Sequence, residues 1–188
     1  MLRIIPIVIL LALWISCIEK AAPTQPTPPA TPALWPWHFD SISQGCSNFT
    51  AYAFGDSSKT AIAVNANACA LSLSSTPRRF NLAEKDSNFS VFVNVYNKNP
   101  RGSMLEFCND AIVIDSFPPY ITESWHGISG IINISSSIIP PCSSSCFTCG
   151  YNVTITIDSL VLQKDSSNAK VFSPKFEFKN VQVGWLPG

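Results

Sequence analysis

Hydrophobic and polar residues alternate along most of this chain with a period of two, which is typical of β-strands. The strongest such run is 89–96, where Val91 and Val93 share one face and Phe92 and Tyr96 take the other. A strand that is apolar on both faces must be covered on both sides, so this run is expected at the centre of a sheet.

The last part of the chain has the clearest alternation, with two shifts of phase. The apolar face moves by one residue at Asp158 and Ser159, which predicts a β-bulge there. Asn180 breaks the phase a second time, and Pro174 predicts an edge strand or a bulge. The apolar positions around the first shift are Val153, Ile155 and Ile157 before it, and Leu160 and Leu162 after it.

Turn-forming residues separate these runs at short intervals. Residues 48–54 and 60–64 flank a Gly-Asp-Ser-Ser turn and predict a β-hairpin. Residues 135–145, rich in serine and interrupted by proline, are predicted to form a loop held by cysteines. No stretch of ten or more residues beyond the N-terminal leader has helical spacing. The pattern predicts an all-β fold, an antiparallel β-sandwich or barrel-like sheet of about eight strands with disulfide-stapled loops.

The N-terminal residues have the pattern of a secretory signal. Arg3 precedes the apolar run 4–15, which is too short to span a bilayer. The sequence Trp-Ile-Ser-Cys at 14–17 resembles a bacterial lipobox, although Trp14 stands where such motifs usually have leucine. This predicts a signal peptide over 1–17 with lipidation of Cys17. Ordinary cleavage after Cys17 is the alternative.

A Pro/Thr-rich linker is predicted over 18–37, followed by a single β-domain over 38–188. The linker has no hydrophobic periodicity, and such segments stay extended as semi-rigid spacers. A lipidated cysteine followed by a spacer favours a lipoprotein bound to a membrane, at the cell surface or the outer membrane. A freely secreted domain is the alternative.

Export changes how the remaining cysteines are interpreted, because disulfides form in oxidising compartments. We expect up to three disulfides, although spacing alone does not choose among the pairings. Cys46 and Cys108 lie near predicted strand edges and are expected to pair first, and one cysteine of 142–149 would then join Cys69. The remaining cysteines are Cys142, Cys146 and Cys149.

The spacing of that last group matches the iron–sulfur site of radical SAM enzymes, but those enzymes are cytoplasmic and export argues against free thiolates. A zinc site would need His126 or His38 as its fourth ligand. Disulfides are therefore favoured over a metal, and no cofactor is expected.

Charge and motifs exclude several functions. The chain has 12 Lys and Arg against 12 Asp and Glu, with no basic stripe, so nucleic acid is not an expected partner. Nucleophile elbows, phosphate loops and metalloprotease helices are absent from the sequence. His126 is the one serious candidate base for a hydrolase, and the carboxylates Asp110, Asp115 and Glu123 have no distinguishing context.

Two further features leave binding open. Trp125 and His126 are candidate ligand-binding residues, because exposed aromatic rings stack on sugars; packing is the alternative for Trp125, as for Trp35, Trp37 and Trp185. Four Asn-x-Ser/Thr sequons, at Asn48, Asn88, Asn133 and Asn152, weakly favour a secreted glycoprotein.

Several short stretches resemble a group of uncharacterised bacterial exported proteins, many of them apparent lipoproteins. They are Cys-Ser-Asn-Phe at 46–49, Leu-Ser-Leu-Ser-Ser-Thr-Pro at 71–77, Cys-Asn-Asp at 108–110, and the ending Val-Gln-Val-Gly-Trp-Leu-Pro-Gly at 181–188. The resemblance implies export and a Cys46–Cys108 disulfide, and it implies no activity. The sequence therefore predicts a non-enzymatic exported domain with a binding or structural role, whose ligand would be a carbohydrate or a protein.

Overall fold

The structure, a computed structural model, describes residues 31–46, 48–55, 59–84, 88–101, 107, 117–140 and 149–184. The second of its two compact units begins at Thr31, inside the segment 18–37 that the sequence predicted as linker. The earlier start has a physical cause, because residues 33–39 pair with and pack on the sheet.

The predicted all-β fold is confirmed. Among the described residues there are nine strands and one helical turn, α1 (Ala68–Leu71). The strands are β1 (Ala33–Leu34), β2 (Gln44–Cys46), β3 (Thr50–Phe54), β4 (Thr60–Ala66), β5 (Arg78–Asn81), β6 (Phe89–Tyr96), β7 (Ile121–Ile139), β8 (Gly150–Lys164) and β9 (Lys170–Val183). They form one sheet in the order β1-β9-β8-β7-β6-β4-β3-β2, with β5 beside β7. All neighbours are antiparallel except β1 and β9, which are parallel.

The predicted central strand and the predicted bulge are both present. Strand β6 lies between β4 and β7, with Val91 and Val93 fully buried on one face and Tyr96 buried on the other. In β8 the buried face moves by one residue at Ser159, whose φ of 54° is left-handed, and the register with β7 shifts there. The bulge lets both apolar sets reach the same core, because a uniform strand would turn one of them to solvent.

The loop predicted over 135–145 is wrong for its first part. Strand β7 continues to Ile139 and pairs with β8 as far as Gly150. Its serines are compatible with a strand because the ladder uses backbone groups, and the hydroxyl of Ser136 donates to the carbonyl of Ser74 at 2.6 Å. A hydrophobicity pattern does not detect strand pairing of this kind.

Among the described residues, the sheet folds over on itself without closing by hydrogen bonds. Strand β2 lies against the last part of β9, so closely that a side chain at Gly45 would collide with Val181 and with the carbonyl of Gln182. The inner faces enclose one large core in which Ile155, Ile157 and Phe178 are fully buried. The arrangement is that of a curved, barrel-like sandwich.

A smaller apolar cluster covers the outer face of β2, β3, β4 and β6. Cys46, Tyr52 and Ala63 are buried there, with Phe92 and Phe107 packed against them. The ring of Phe107 stacks on that of Tyr52 at a centroid distance of 4.8 Å. A cover on both faces of β6 was expected from its sequence, but Phe107, which comes from a distant part of the chain, could not be identified as the covering residue.

Candidate functional site

Residues 31–40 cross from one edge of the folded sheet to the other. Leu34 pairs with Phe172 in β9, and the amide of Trp35 donates to the Phe172 carbonyl at 3.0 Å. Phe39 then forms a bridge with Gly55 at the end of β3. Strands β2 and β9 lie side by side without pairing in the described sheet. The segment therefore spans the seam between them.

The sequence of this segment explains how it attaches. Trp35, Trp37 and Phe39 follow a period of two, so all three point to one side of an extended chain, as residues of a strand do. Each is partly buried and packs on the main core. Pro36 is exposed between them and has no backbone donor to satisfy. An extended, amphipathic segment is the result.

We call the group formed by Trp35, Trp37, Phe39, Trp125 and Phe176 the aromatic clasp. Ring centroids lie 5.2 Å apart in Trp35–Trp37 and 5.4 Å apart in Trp37–Trp125, both edge to face. Phe39 meets Phe176 edge to face at 5.6 Å. Edge-to-face contacts at these distances are favourable beyond the burial of area. The clasp thereby fastens the N-terminal segment to β7 and β9.

Trp125 lies inside the clasp rather than on the surface. It is 9% exposed, with the ring of Trp37 on one side and the ammonium of Lys164 5.6 Å from its centroid. Stacking on a sugar requires an open ring face, which Trp125 does not offer in this position. Its Nε1 is buried and has no hydrogen-bond partner within the described part of the chain.

Glu123 and Lys164 close the outer side of the clasp. Their Oε2 and Nζ atoms are 2.7 Å apart. The hydrogen bond from Lys164 is the main cause of a lowered Glu123 pKa, while partial burial opposes it. The indole of Trp125 also contributes to the lower pKa, although the geometry falls short of a hydrogen bond.

The side chain of His126 points to the face of β7 opposite to Trp125 and is exposed to solvent. Its Nδ1 is 2.5 Å from Oδ1 of Asp165, and both side chains are about half exposed, at 51% and 52%. A hydrolase would need a nucleophile on the other ring nitrogen. Within the described ranges no hydroxyl or thiol hydrogen-bonds to His126, and the nearby Ser124 hydroxyl donates to Asn94 instead. His126 and Asp165 are arranged like the base and the orienting acid of a catalytic triad, but no nucleophile contacts His126 within the described ranges.

The described cysteines are Cys46, Cys69 and Cys149, and their participation in disulfides stays a prediction. Cys17, Cys108, Cys142 and Cys146 lie outside the described residues, so the pairing stays a prediction. One contact bears on it: the sulfur of Cys46 lies 2.6 Å from the carbonyl oxygen of Phe107, the residue before Cys108.

The remaining sequence candidates are dispersed. Asp110, Asp115 and Trp185 lie outside the described residues, and His38 is exposed on the clasp segment. No group of three or more His, Cys, Asp or Glu side chains placed to hold a metal occurs in the described ranges. No helix in the same ranges is long and apolar enough to cross a membrane.

The sequons differ in what their side chains do. Asn48 accepts a hydrogen bond from the amide of Ala68, and Asn133 donates to Asp158. Asn88 and Asn152 are exposed. Asn133 lies in β7 and Asn152 lies in β8.

The sequence placed Trp35 and Trp37 at the end of the linker with packing as one interpretation, but it did not predict the aromatic clasp as a unit. The Trp-x-Trp-x-Phe alternation at 35–39 is a signal that could have extended the domain towards the N-terminus. Its partners on β7 and β9 could not be found, because they lie far away in sequence.

Comparisons with protein-family models, with curated proteins and with solved structures find no match to this chain. The resemblance to exported bacterial proteins therefore stays a prediction.

Proposed function

We propose that this chain is a non-enzymatic exported domain, tethered at the cell surface through a lipidated Cys17 and the Pro/Thr segment that follows it. Its role is binding or structural. The observation that supports the proposal is the aromatic clasp, by which the domain holds the end of that segment.

The clasp suits an attachment point for mechanical reasons. The tether joins the domain at β1, which is hydrogen-bonded along β9, and Trp35, Trp37 and Phe39 pack on the core directly after it. A pull on the tether is therefore borne by several contacts at once. A linker that only had to reach the domain would need none of these contacts.

The candidate enzyme residues give a hydrolase less support. His126 is oriented by Asp165, but no hydroxyl or thiol among the described residues hydrogen-bonds to it, and both groups are half exposed. General base catalysis depends on a positioned reacting group. A half-exposed histidine paired with an aspartate is compatible with an ordinary surface ion pair.

Metabolic labelling with a palmitate analogue in an exporting bacterial host tests the tether. We expect label on the wild-type chain and on Ser16→Ala, which keeps a small residue before the cysteine. We expect none on Cys17→Ser. If the wild-type chain carries no label and is recovered in the medium, the freely secreted binding module is the correct alternative.

A further inference from the structure

Most of the large hydrophobic side chains that the described residues expose lie at one end of the sheet. The exposed fractions are 82% for Leu34, 72% for Ile42, 80% for Phe117, 63% for Tyr120 and 42% for Ile121. Only Ile138, at 52%, lies elsewhere among the exposed large hydrophobic residues of the described chain. We call this end the tether end, because β1 enters the sheet there.

The register of the strands establishes that these residues share an end. Strand β7 begins where β6 finishes, with Ile121 opposite Tyr96. Strand β4 begins and β3 finishes at the same level, and β8 finishes and β9 begins beside the first residues of β7. Leu34 pairs with Phe172 near the start of β9. Ile138, by contrast, is near the far end of β7, opposite Tyr151.

Hydrogen bonds hold the exposed residues in place. The amide of Tyr120 donates to the Asn97 side chain at 2.9 Å, and the Asn97 amide donates to the Tyr120 carbonyl at 3.1 Å. Lys98 donates to the carbonyl of Phe117. These bonds fix the backbone of 117–121 against the end of β6 while its side chains point outwards. Ordered, exposed aromatic and aliphatic groups of this kind mark an interaction surface.

We propose that the tether end rests on the lipid surface to which the chain is anchored, with Phe117, Tyr120 and Ile121 inserted at the level of the headgroups. The inference rests on the proposed function, because the lipid anchor is what brings the surface there. Aromatic side chains are enriched at the membrane–water interface, and exposed apolar area drives interfacial binding.

Two observations favour a lipid surface over a protein partner. The residues that precede Thr31 join the domain at this end, and the thirteen residues between Cys17 and Thr31 reach about 40 Å at ~3.1 Å per residue. A domain confined so close to a bilayer meets it at a high effective concentration. Lys59 and Lys170 are exposed at the same end, where ammonium groups extend to the headgroups while aliphatic stems stay in apolar surroundings.

Fluorescence quenching by brominated lipids tests the inference with a matched pair of variants. Phe117→Trp places an indole on the tether end, and Ile138→Trp places one at the far end of β7. Each full-length chain is reconstituted into phosphatidylcholine vesicles with brominated or ordinary acyl chains. We expect bromination to remove most of the fluorescence that Phe117→Trp adds over wild type, and to leave that added by Ile138→Trp unchanged.

Equal quenching of the two added indoles, or none for Phe117→Trp, would overturn the proposal and leave a protein partner or a second copy as the occupant. The palmitate label measured on the same preparations separates this failure from failure of the anchor. A labelled chain without selective quenching keeps its anchor but has no lipid-facing end. Selective quenching of an unlabelled chain means that the tether end binds lipid by itself and that the proposed anchor is wrong.

Discussion

Replacement of Trp37 by alanine should loosen the clasp without touching the sheet. The ring of Trp37 links Trp35 to Trp125 through two edge-to-face contacts, at 5.2 and 5.4 Å. Loss of a fully buried tryptophan costs about 3–5 kcal/mol. Because Trp37 is only partly buried, we expect about half of that, ~2 kcal/mol of the free energy of unfolding. For a domain of this size the melting temperature should fall by about 4–8 °C.

Urea and thermal unfolding of the oxidised chain, followed by circular dichroism, measure this loss. Leu34→Ala is the matched control, because Leu34 lies in the same segment and pairs with β9 but is 82% exposed. We expect that control to change the free energy of unfolding by no more than about 0.5 kcal/mol.

The result that would refute the reasoning is an equal effect of the two substitutions. In that case the aromatic contacts of residues 35–39 would add nothing to the stability of the domain. The clasp could then not serve as the attachment point of the tether, and the proposed function would lose the observation that supports it.

Two further predictions concern the cysteines and the outer side of the clasp. Non-reducing digestion and mass spectrometry should recover Cys46 linked to Cys108, since Phe107 lies against the Cys46 sulfur; a link from Cys46 to residues 142–149 would contradict this. Glu123 has a pKa below its ordinary value of 4.5. Its contribution to the free energy of unfolding is therefore complete above pH 4.5 and is lost as the pH falls through the lower pKa of the folded state. Because Glu123 is 40% exposed, Glu123→Gln should cost less than about 1 kcal/mol at pH 7 and nothing at a pH well below the folded-state value; a cost that persists there would show that the charge is not responsible.

Local pattern was sufficient for much of the fold. Strand β6 was predicted as central because both of its faces are apolar, and the bulge at Ser159 because the buried phase shifts by one residue. Both features depend only on which side of a strand each residue occupies, so a short window of sequence contains them. The end of β7 was missed for the converse reason. Its serines carry no apolar phase, and the strand is held by backbone bonds to β8.

The candidate site was likewise predicted in part from local sequence and decided in part by contacts with distant strands. The sequence marked Trp125 and His126 as neighbours with a shared role, but successive residues of a strand point to opposite faces. Trp125 is buried in the core, whereas His126 contacts Asp165 on the surface. The burial of each side chain depends on which strands cover its face of the sheet, and the spacing of residues in the sequence does not predict which strands these are.

By itself the sequence determined the all-β class, the alternating core positions, the shifts of phase, and the predictions of export and a lipid anchor. Each of these is a property of adjacent residues. Only the tertiary structure decided that residues 31–37 belong to the domain, that Trp37 meets Trp125, and that Phe117, Tyr120 and Leu34 share the end of the sheet where β1 begins. These relations join segments far apart in sequence, and strand order and sheet curvature alone bring them together.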